Sequence, residues 1–381
     1  MDLTTIEARA RKAVDPLVPA DRDTSFWGER SNAGRSLPPY YLVYFLLVKL
    51  LGFKDLGRGE KIAYSIPVEI DGTLLMVEHR KFGLGIFIKH TDDEAAAEKA
   101  TKRIHSGVKA AQPYFEVLAD AAAKGSALNV ENNAQELFDR FSYFADLYSE
   151  KSTEAEARKE ERVKTELPSS EGVAHAYTVE FPSYKLRHEG QWCATAAIEA
   201  FYSWTEHVFI LIAILQGKIM TGEDVANTAG IEWKDKFKLA MDINDPNIKR
   251  FYDDLSALRN QVRNFVAHGA FGKNGQALSF HSEVGAVPLL LPHRQNKQRF
   301  RFGNGVDLLP PEAMQLIHDF IAHMWTGSLS PARIYVEADL PLILSHVSDG
   351  TYDEAMASEE KMTDFTNYLS HIFDDAANMD W

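Results

Sequence analysis

Cysteine is nearly absent from this sequence, and that scarcity excludes several classes of protein. A single cysteine, Cys193, occurs among 381 residues. One thiol cannot form an intrachain disulfide framework or a zinc site with two or more thiolates. Cys193 lies in the apolar first part of a predicted helix, which is typical of a packed thiol rather than a nucleophile.

Long hydrophobic runs are also missing. The longest are residues 40–51, interrupted only by Lys49, and residues 208–215. Both are shorter than the roughly 20 residues that span a bilayer. The first residues have neither the basic flank nor the apolar core of a signal peptide. We therefore expect a soluble, cytoplasmic protein without a membrane partner.

Basic residues are outnumbered by acidic ones. Lys and Arg total 41 against 55 Asp and Glu, which gives a formal net charge of −14. A protein that bound nucleic acid over its whole surface would be basic, so any such contact must be a local patch. Residues 341–381 contain nine acids and one lysine, and so carry −8 of this charge. The acidity is largely a C-terminal property.

Several cofactor and metal motifs are lacking. The sequence has no phosphate-binding loop, no complete dinucleotide fingerprint and no Gly-x-Ser-x-Gly. His318 and His323 lie five residues apart, which is not the spacing of a His-Glu-x-x-His zinc helix. We expect neither a cofactor nor a metal.

The remaining patterns predict a mainly α protein with small β elements, in which a helical bundle follows an α+β domain. Residues 1–165 form the predicted N-terminal α+β domain, with a hairpin around Asp71-Gly72. Residues 166–188 are a predicted linker. Residues 189–340 are predicted to be a helical domain with short strands, and residues 341–381 an acidic helical tail.

A predicted helix from Pro246 to His268 carries most of the functional information. On a helical wheel, Leu255, Leu258, Val262 and Phe265 form one core stripe. Relative to Leu255, Arg263 falls at about 80°, Asn264 at about 180° and His268 at about 220°. These three residues straddle the direction opposite the core. Gly269 is a natural C-cap.

This set of side chains is sufficient for attack of an RNA 2′-hydroxyl on its own phosphate. Arg263 can hold the developing negative charge because its planar guanidinium stays protonated. His268 can take and give a proton near neutral pH. Asn264 can orient either group. This chemistry needs no metal.

The segment Arg263-Asn264-Phe265-Val266-Ala267-His268 resembles the Arg-polar-x-x-x-His motif of the HEPN superfamily. The resemblance covers about residues 190–330 and is specific at the motif, whereas the N-terminal region matches no family. It implies an all-helical bundle and, as in many members, a metal-independent ribonuclease of a defence or stress system. It also implies a homodimer whose two motifs build one cleft, with His268, Arg263 and Asn264 as catalytic residues. Arg259 and Asn260, just upstream, belong to its usual surroundings and are expected to contact RNA.

An acidic residue on an earlier helix is often found near the motif of HEPN-like domains. Thr195, Glu199, Ser203 and Glu206 line one face of the predicted helix at residues 192–216. A carboxylate on a mostly apolar helix needs a cationic or hydrogen-bonding partner. Glu206 is the first candidate and Glu199 the second. Glu206 would position Arg263 or His268.

A basic ribbon follows the motif. Residues 284–306 contain no acid and four bases, namely Arg294, Lys297, Arg299 and Arg301. In an extended strand Arg299 and Arg301 would share one face. The ribbon is a candidate RNA-backbone contact, and a solvated hairpin is its alternative.

Each of the main candidate residues also has an alternative, purely structural role. His268 could cap its helix by interacting with the last carbonyls. Arg263 could form a salt bridge with Glu199 or Glu206, and Glu206 could be an ordinary surface or dimer-interface acid. The leading hypothesis is a metal-independent RNA endonuclease, and the alternative is a non-catalytic dimerisation or binding module that contacts a partner protein or nucleotide. A regulatory protein or small ligand at the N-terminal domain is a third expectation.

Overall fold

The computed structural model describes residues 2–20, 28–166, 177–268, 278–289, 302 and 310–378. Residues 264–268, 288 and 375–378 are described by their backbone alone. The described chain is mainly helical with small sheets, which confirms the expected fold class. It divides into two compact units, Met1–Gly125 with His371–Trp381, and Ser126–Ser370.

The first unit combines an antiparallel sheet with helices. Its helices are α1 (Leu3–Val14), α2 (Tyr40–Tyr44, continued by a π-helical segment Phe45–Leu50), α3 (Glu94–Ala110) and α4 (Gln112–Lys124). Its strands are β1 (Val18–Pro19), β2 (Glu29–Arg30), β3 (Ile62–Ile70), β4 (Thr73–Arg80) and β5 (Gly83–Ile88), in the order β1-β3-β4-β5-β2.

The predicted hairpin is confirmed. Ile70 pairs with Thr73 across a two-residue turn in which Asp71 and Gly72 have φ values of 51° and 80°. Positive φ at both central residues is the turn geometry that matches the twist of paired strands. Helices α3 and α4 are separate, because Pro113 in the first turn of α4 lacks the N–H that a continuous helix would need.

Close packing in this unit depends on a small residue. A Cβ added at Gly107 of α3 would lie 2.5 Å from Cγ1 of Val14 and 2.8 Å from Cδ2 of Leu46. Both distances are shorter than van der Waals contact, so any larger residue would separate α3 from its neighbours. These apolar elements pack closely because Gly107 has no side chain.

The second unit contains the helix with the candidate motif. Its helices are α5 (Ala134–Ala157), α6 (Pro182–Leu215), α7 (Gly222–Gly230), α8 (Trp233–Ala240), α9 (Pro246–His268), α10 (Pro310–Met324), α11 (Ser330–Glu337), α12 (Ser345–Ser348), α13 (Thr351–Ala355) and α14 (Glu359–Asn378), the last of which ends among residues grouped with the first unit. Its strands are β6 (Asn129–Val130), β7 (Val163–Glu166), β8 (Tyr177–Glu180), β9 (Leu278–Ser282), β10 (Gly285–Leu289) and β11 (Leu342–Ile343).

Helix α6 is the centre of this unit. It begins at Pro182, about ten residues earlier than expected, because proline is favoured in the first turn of a helix. Helix α5 runs antiparallel to it, with ring centroids of Phe138 and Trp204 5.1 Å apart and those of Phe141 and Phe201 6.1 Å apart.

The domain boundaries differ from those expected. The first unit ends at Gly125 rather than near residue 165, because α5 packs on α6. Part of the expected linker is β8 and the start of α6, while its residues 167–176 lie outside the described residues. Residues 341–370 pack within the second unit, where the Tyr352 hydroxyl accepts a hydrogen bond from the Ile343 amide at 2.8 Å.

Among the described residues, α6 alone is long and apolar enough, by length and composition, to cross a membrane. However, 72% of its most apolar window is buried within the fold. This burial is compatible with the core helix of a soluble protein.

Candidate functional site

Helix α9 has the register predicted from its sequence. Leu255, Leu258 and Val262 are buried, which confirms three positions of the predicted core stripe. The side chain of the fourth, Phe265, lies outside the described residues. Arg263 is exposed, as predicted for the opposite face. The backbone is helical through His268, but the side chains of Asn264 and His268 lie outside the described residues.

Glu206 on α6 contacts two cations, and neither of them is Arg263. Its Oε1 accepts a hydrogen bond from Nη2 of Arg259 at 2.6 Å. Its Oε2 accepts one from Nζ of Lys236 at 3.0 Å. We call Glu206, Lys236 and Arg259 the charged triad.

Burial explains the choice of partners. The Lys236 side chain is only 4% exposed, and an ammonium removed from water needs a counter-charge. The Arg259 guanidinium lies over the rings of Tyr202 and Trp233, at 5.5 and 5.7 Å from their centroids. Among the described residues Glu206 positions Arg259 and Lys236, which corrects the expectation that it would position Arg263. The side chain of His268, its other expected partner, lies outside the described residues. Its partial burial and two ion pairs distinguish Glu206 from an ordinary surface acid.

The charged triad keeps Glu206 ionised. Partial burial by itself would raise the pKa of this carboxyl, but the hydrogen bonds and charges of Lys236 and Arg259 outweigh it and lower the pKa. The cluster therefore carries one negative and two positive charges near neutral pH. Arg259, expected to bind RNA, has part of its charge already neutralised.

The aromatic support beneath the triad is fixed by hydrogen bonds. The Tyr202 hydroxyl donates to the Leu255 carbonyl at 2.8 Å, and burial raises the pKa of this phenol far above its ordinary value. The Trp233 indole N–H donates to Oγ1 of Thr205 at 2.9 Å. These contacts join α6, α8 and α9 beneath the charged surface.

An open cleft of about 740 Å³ lies above the triad. We call it the polar cleft; its ionisable lining residues are the acids Glu199, Glu206 and Glu232, the bases Lys234, Arg259 and Arg263, and the buried Tyr202. Three acids and three bases give it a mixed rather than a strongly basic charge.

Arg263 differs from the other arginine of this cleft. Within the described part of the chain it makes no ion pair and no side-chain hydrogen bond, so the salt bridge considered for it with Glu199 or Glu206 is not formed there. Asn260 and Glu199 are exposed at the same cleft. The cleft therefore brings together Arg263, Arg259, Asn260 and Glu206.

The basic ribbon cannot be located on this surface. Arg294, Lys297, Arg299 and Arg301 lie outside the described residues. Strand β10, which pairs with β9, lies in the first part of the ribbon, before these four bases.

Sequence reasoning missed Lys236, although a signal was present. In α8, Trp233, Lys236, Phe237 and Ala240 recur at the spacing of one helix face, and all four are buried. A charged residue inside an apolar stripe indicates a buried charge that needs a partner. Glu206 is the carboxylate that pairs with Lys236.

The described residues thus form a mainly helical protein with a polar cleft between α6, α8 and α9. Among them, no group of three or more His, Cys, Asp or Glu residues is arranged to hold a metal ion. No protein-family model, curated protein or solved structure gives a significant match to this chain.

Proposed function

We propose that this protein is a metal-independent, HEPN-like RNA endonuclease, with its active site at the polar cleft. The observation that carries the proposal is the state of Arg263. It is exposed at an open cleft and has no ionic partner among the described residues, while Arg259 and Glu206 at the same cleft are already paired with each other. An arginine without such a partner retains its full charge for a phosphate.

In this proposal, His268 acts as general base and general acid. It removes the proton from the 2′-hydroxyl, the 2′-oxygen forms a bond to phosphorus, and the bond to the 5′-oxygen breaks. That oxygen receives a proton, which leaves a 2′,3′-cyclic phosphate and a 5′-hydroxyl. Arg263 stabilises the charge on the phosphate oxygens, and Asn264 orients the histidine or the phosphate.

The charged triad would support this site indirectly. Glu206 holds Arg259 against the rings of Tyr202 and Trp233, so the helix that carries Arg263 is anchored to α6 one turn before the motif. Arg259 and Asn260 are proposed RNA contacts, as are Arg294, Lys297, Arg299 and Arg301. The active form would be a cytoplasmic homodimer with one composite cleft, in a bacterial defence or stress response; this setting rests on family analogy.

RNA cleavage in the presence of EDTA tests the proposal. We expect wild type to cleave RNA, and the variants Arg263→Ala and His268→Ala to lose about 100-fold or more in rate. Arg250→Ala is the matched control, because Arg250 is exposed on the same helix but does not line the polar cleft. A single 2′-deoxy nucleotide at the cleavage position should block the reaction, since it removes the attacking oxygen.

Two outcomes of this experiment would contradict the proposal. Equal cleavage by wild type and both active-site variants would assign the activity to a contaminant or another site. Cleavage of the 2′-deoxy substrate would exclude the proposed chemistry. Each variant is compared with wild type by size-exclusion chromatography, so that loss of a dimer is not mistaken for loss of a catalytic group.

The second candidate function is a non-catalytic binding module that contacts a partner protein or nucleotide. The mixed charge of the polar cleft favours it, because a polyanion is best attracted by a uniformly basic surface. Retained binding of a partner by Arg263→Ala and His268→Ala, with no cleavage by wild type, would support this function.

A further inference from the structure

A second cavity, separate from the polar cleft, lies against the other side of α6. Its volume is about 450 Å³, and helices α5, α6, α10 and α11 supply its walls. Cavities of a few hundred Å³ with mostly apolar walls and a few polar groups are the usual form of small-molecule sites. We call it the aromatic cavity.

Five rings line the aromatic cavity in a continuous series. In order, the rings are those of Trp325, Trp204, Phe138, Phe141 and His318. The distances between successive ring centroids are 6.5, 5.1, 5.7 and 6.3 Å. Successive rings are inclined by 51° to 75°, so they form a curved wall rather than a flat stack. Trp204 and Phe141 are each 3% exposed, while Phe138 and Trp325 are half-buried.

One of the carboxylates that line this cavity has no cationic partner among the described residues. Arg333 and Glu337 neutralise each other through a 2.7 Å contact between Nε and Oε1. Asp146 also lines the cavity, and it has no ion pair or side-chain hydrogen bond with any other described residue. The described lining therefore combines one uncompensated negative charge with several aromatic rings.

We propose that the aromatic cavity binds a small organic cation with an apolar or aromatic body. Faces of Trp and Phe attract cations through the ring quadrupole, and several such rings around a carboxylate form the usual cage for an alkylated ammonium group. An anion would meet the unpaired carboxylate of Asp146, and a neutral molecule would gain only the apolar contact. The net charge of −14 adds a general attraction for cations.

The site is independent of the proposed RNA chemistry. Trp204 and Glu206 are two residues apart on α6, and hence about 200° apart around its axis. Trp204 contacts Phe138 and Trp325, whereas Glu206 contacts Lys236 and Arg259. None of the described residues lines both cavities.

Titration calorimetry with three matched probes tests the proposal. The probes are 2-phenylethylammonium, 2-phenylethanol and phenylacetate, which share one ring and differ in charge. For the full-length protein we expect the cation to bind about tenfold more tightly than the neutral alcohol, and the anion to bind most weakly. Equal binding of cation and alcohol, or no binding of the cation, would overturn the proposal.

Two variants assign the binding to this cavity. Asp146→Asn keeps the shape of an exposed side chain and should remove most of the preference for the cation. Trp325→Ala should weaken all binding, and circular dichroism checks that it folds. Glu150→Gln is the matched control, because Glu150 is exposed one turn further along α5 and does not line the cavity. Cation binding that survives both Asp146→Asn and Trp325→Ala would place the site elsewhere and refute the proposal.

Discussion

The polar cleft and the aromatic cavity are built on the same helix but from opposite kinds of interaction. At the polar cleft, α6 contributes Glu206, which is held by two cations over aromatic rings. At the aromatic cavity it contributes Trp204, which packs among other rings. Between them, Thr205 is fully buried and accepts the indole hydrogen bond of Trp233. Three consecutive residues thus meet three environments, because each step along a helix turns the side chain by about 100°.

The two sites differ in what stabilises them, because one depends on apolar packing and the other on paired charges. The aromatic cavity is formed by large rings, of which Trp204 and Phe141 are buried, and removal of a ring costs apolar contact. The polar cleft is formed by charged side chains, and their contribution to stability depends on whether every partner is present. The following predictions separate the two.

The largest effect on stability is expected at the aromatic cavity. Trp204→Ala removes a large, nearly buried ring and should lower the free energy of unfolding by about 3 kcal/mol. Chemical denaturation measures it. A loss below about 1 kcal/mol would mean that the rings around Trp204 contribute little to the fold.

The next effect is expected at the charged triad. Glu206→Gln leaves the buried ammonium of Lys236 without its counter-charge and should cost about 2 kcal/mol. Adding Lys236→Met should recover part of this loss, because the uncompensated charge is then gone. If the second substitution adds to the loss instead, the Lys236–Glu206 pair is not the source of the effect.

The charged triad also predicts a dependence on pH. The pKa of Glu206 is lowered from 4.5 in the folded protein, so its contribution is fully present above pH 4.5. The contribution disappears as the pH falls through the lower pKa of the folded state. The stability difference between wild type and Glu206→Gln should therefore shrink on acidification, and a difference that grows would contradict this assignment.

A smaller effect is expected where α5 begins. Nε2 of His207 accepts a hydrogen bond from the Asn133 amide at 3.0 Å, and burial lowers the pKa of this imidazole below 6.5. Protonation would destroy the acceptor, so wild type should lose stability as the pH falls below 6.5. His207→Gln, which keeps an acceptor but cannot titrate, should reduce that loss at a cost on the order of 1 kcal/mol at neutral pH. An unchanged pH profile in this variant would exclude His207 as the titrating group.

The smallest effect is expected for the exposed pair of the aromatic cavity. Arg333→Ala removes an i,i+4 ion pair with Glu337 and should change the free energy of unfolding by no more than about 0.5 kcal/mol. A loss as large as that of Glu206→Gln would show that exposure does not distinguish the two ion pairs.

Patterns confined to one element were predictable from the sequence. Helix and turn periodicity predicts the buried α9 positions 255, 258 and 262, the exposure of Arg263 and the Asp71-Gly72 hairpin, and all of these are observed. These features need no knowledge of neighbouring elements.

Features that depend on packing between distant segments were not predictable in the same way. The choice of Arg259 and Lys236 by Glu206 depends on how α6, α8 and α9 meet. The aromatic cavity draws on residues from 134 to 337, and its rings are individually indistinguishable from ordinary core residues. The boundary at Gly125 depends on the packing of α5 on α6. No pattern within the sequence of α5 alone predicts this packing.

The most direct test of the account is the rate of RNA cleavage in EDTA by Arg263→Ala and by Arg250→Ala. The account predicts that Arg250→Ala retains the wild-type rate, while Arg263→Ala loses about 100-fold or more with its oligomeric state unchanged. Equal rates for wild type and both variants would contradict the assignment of Arg263 to the active site.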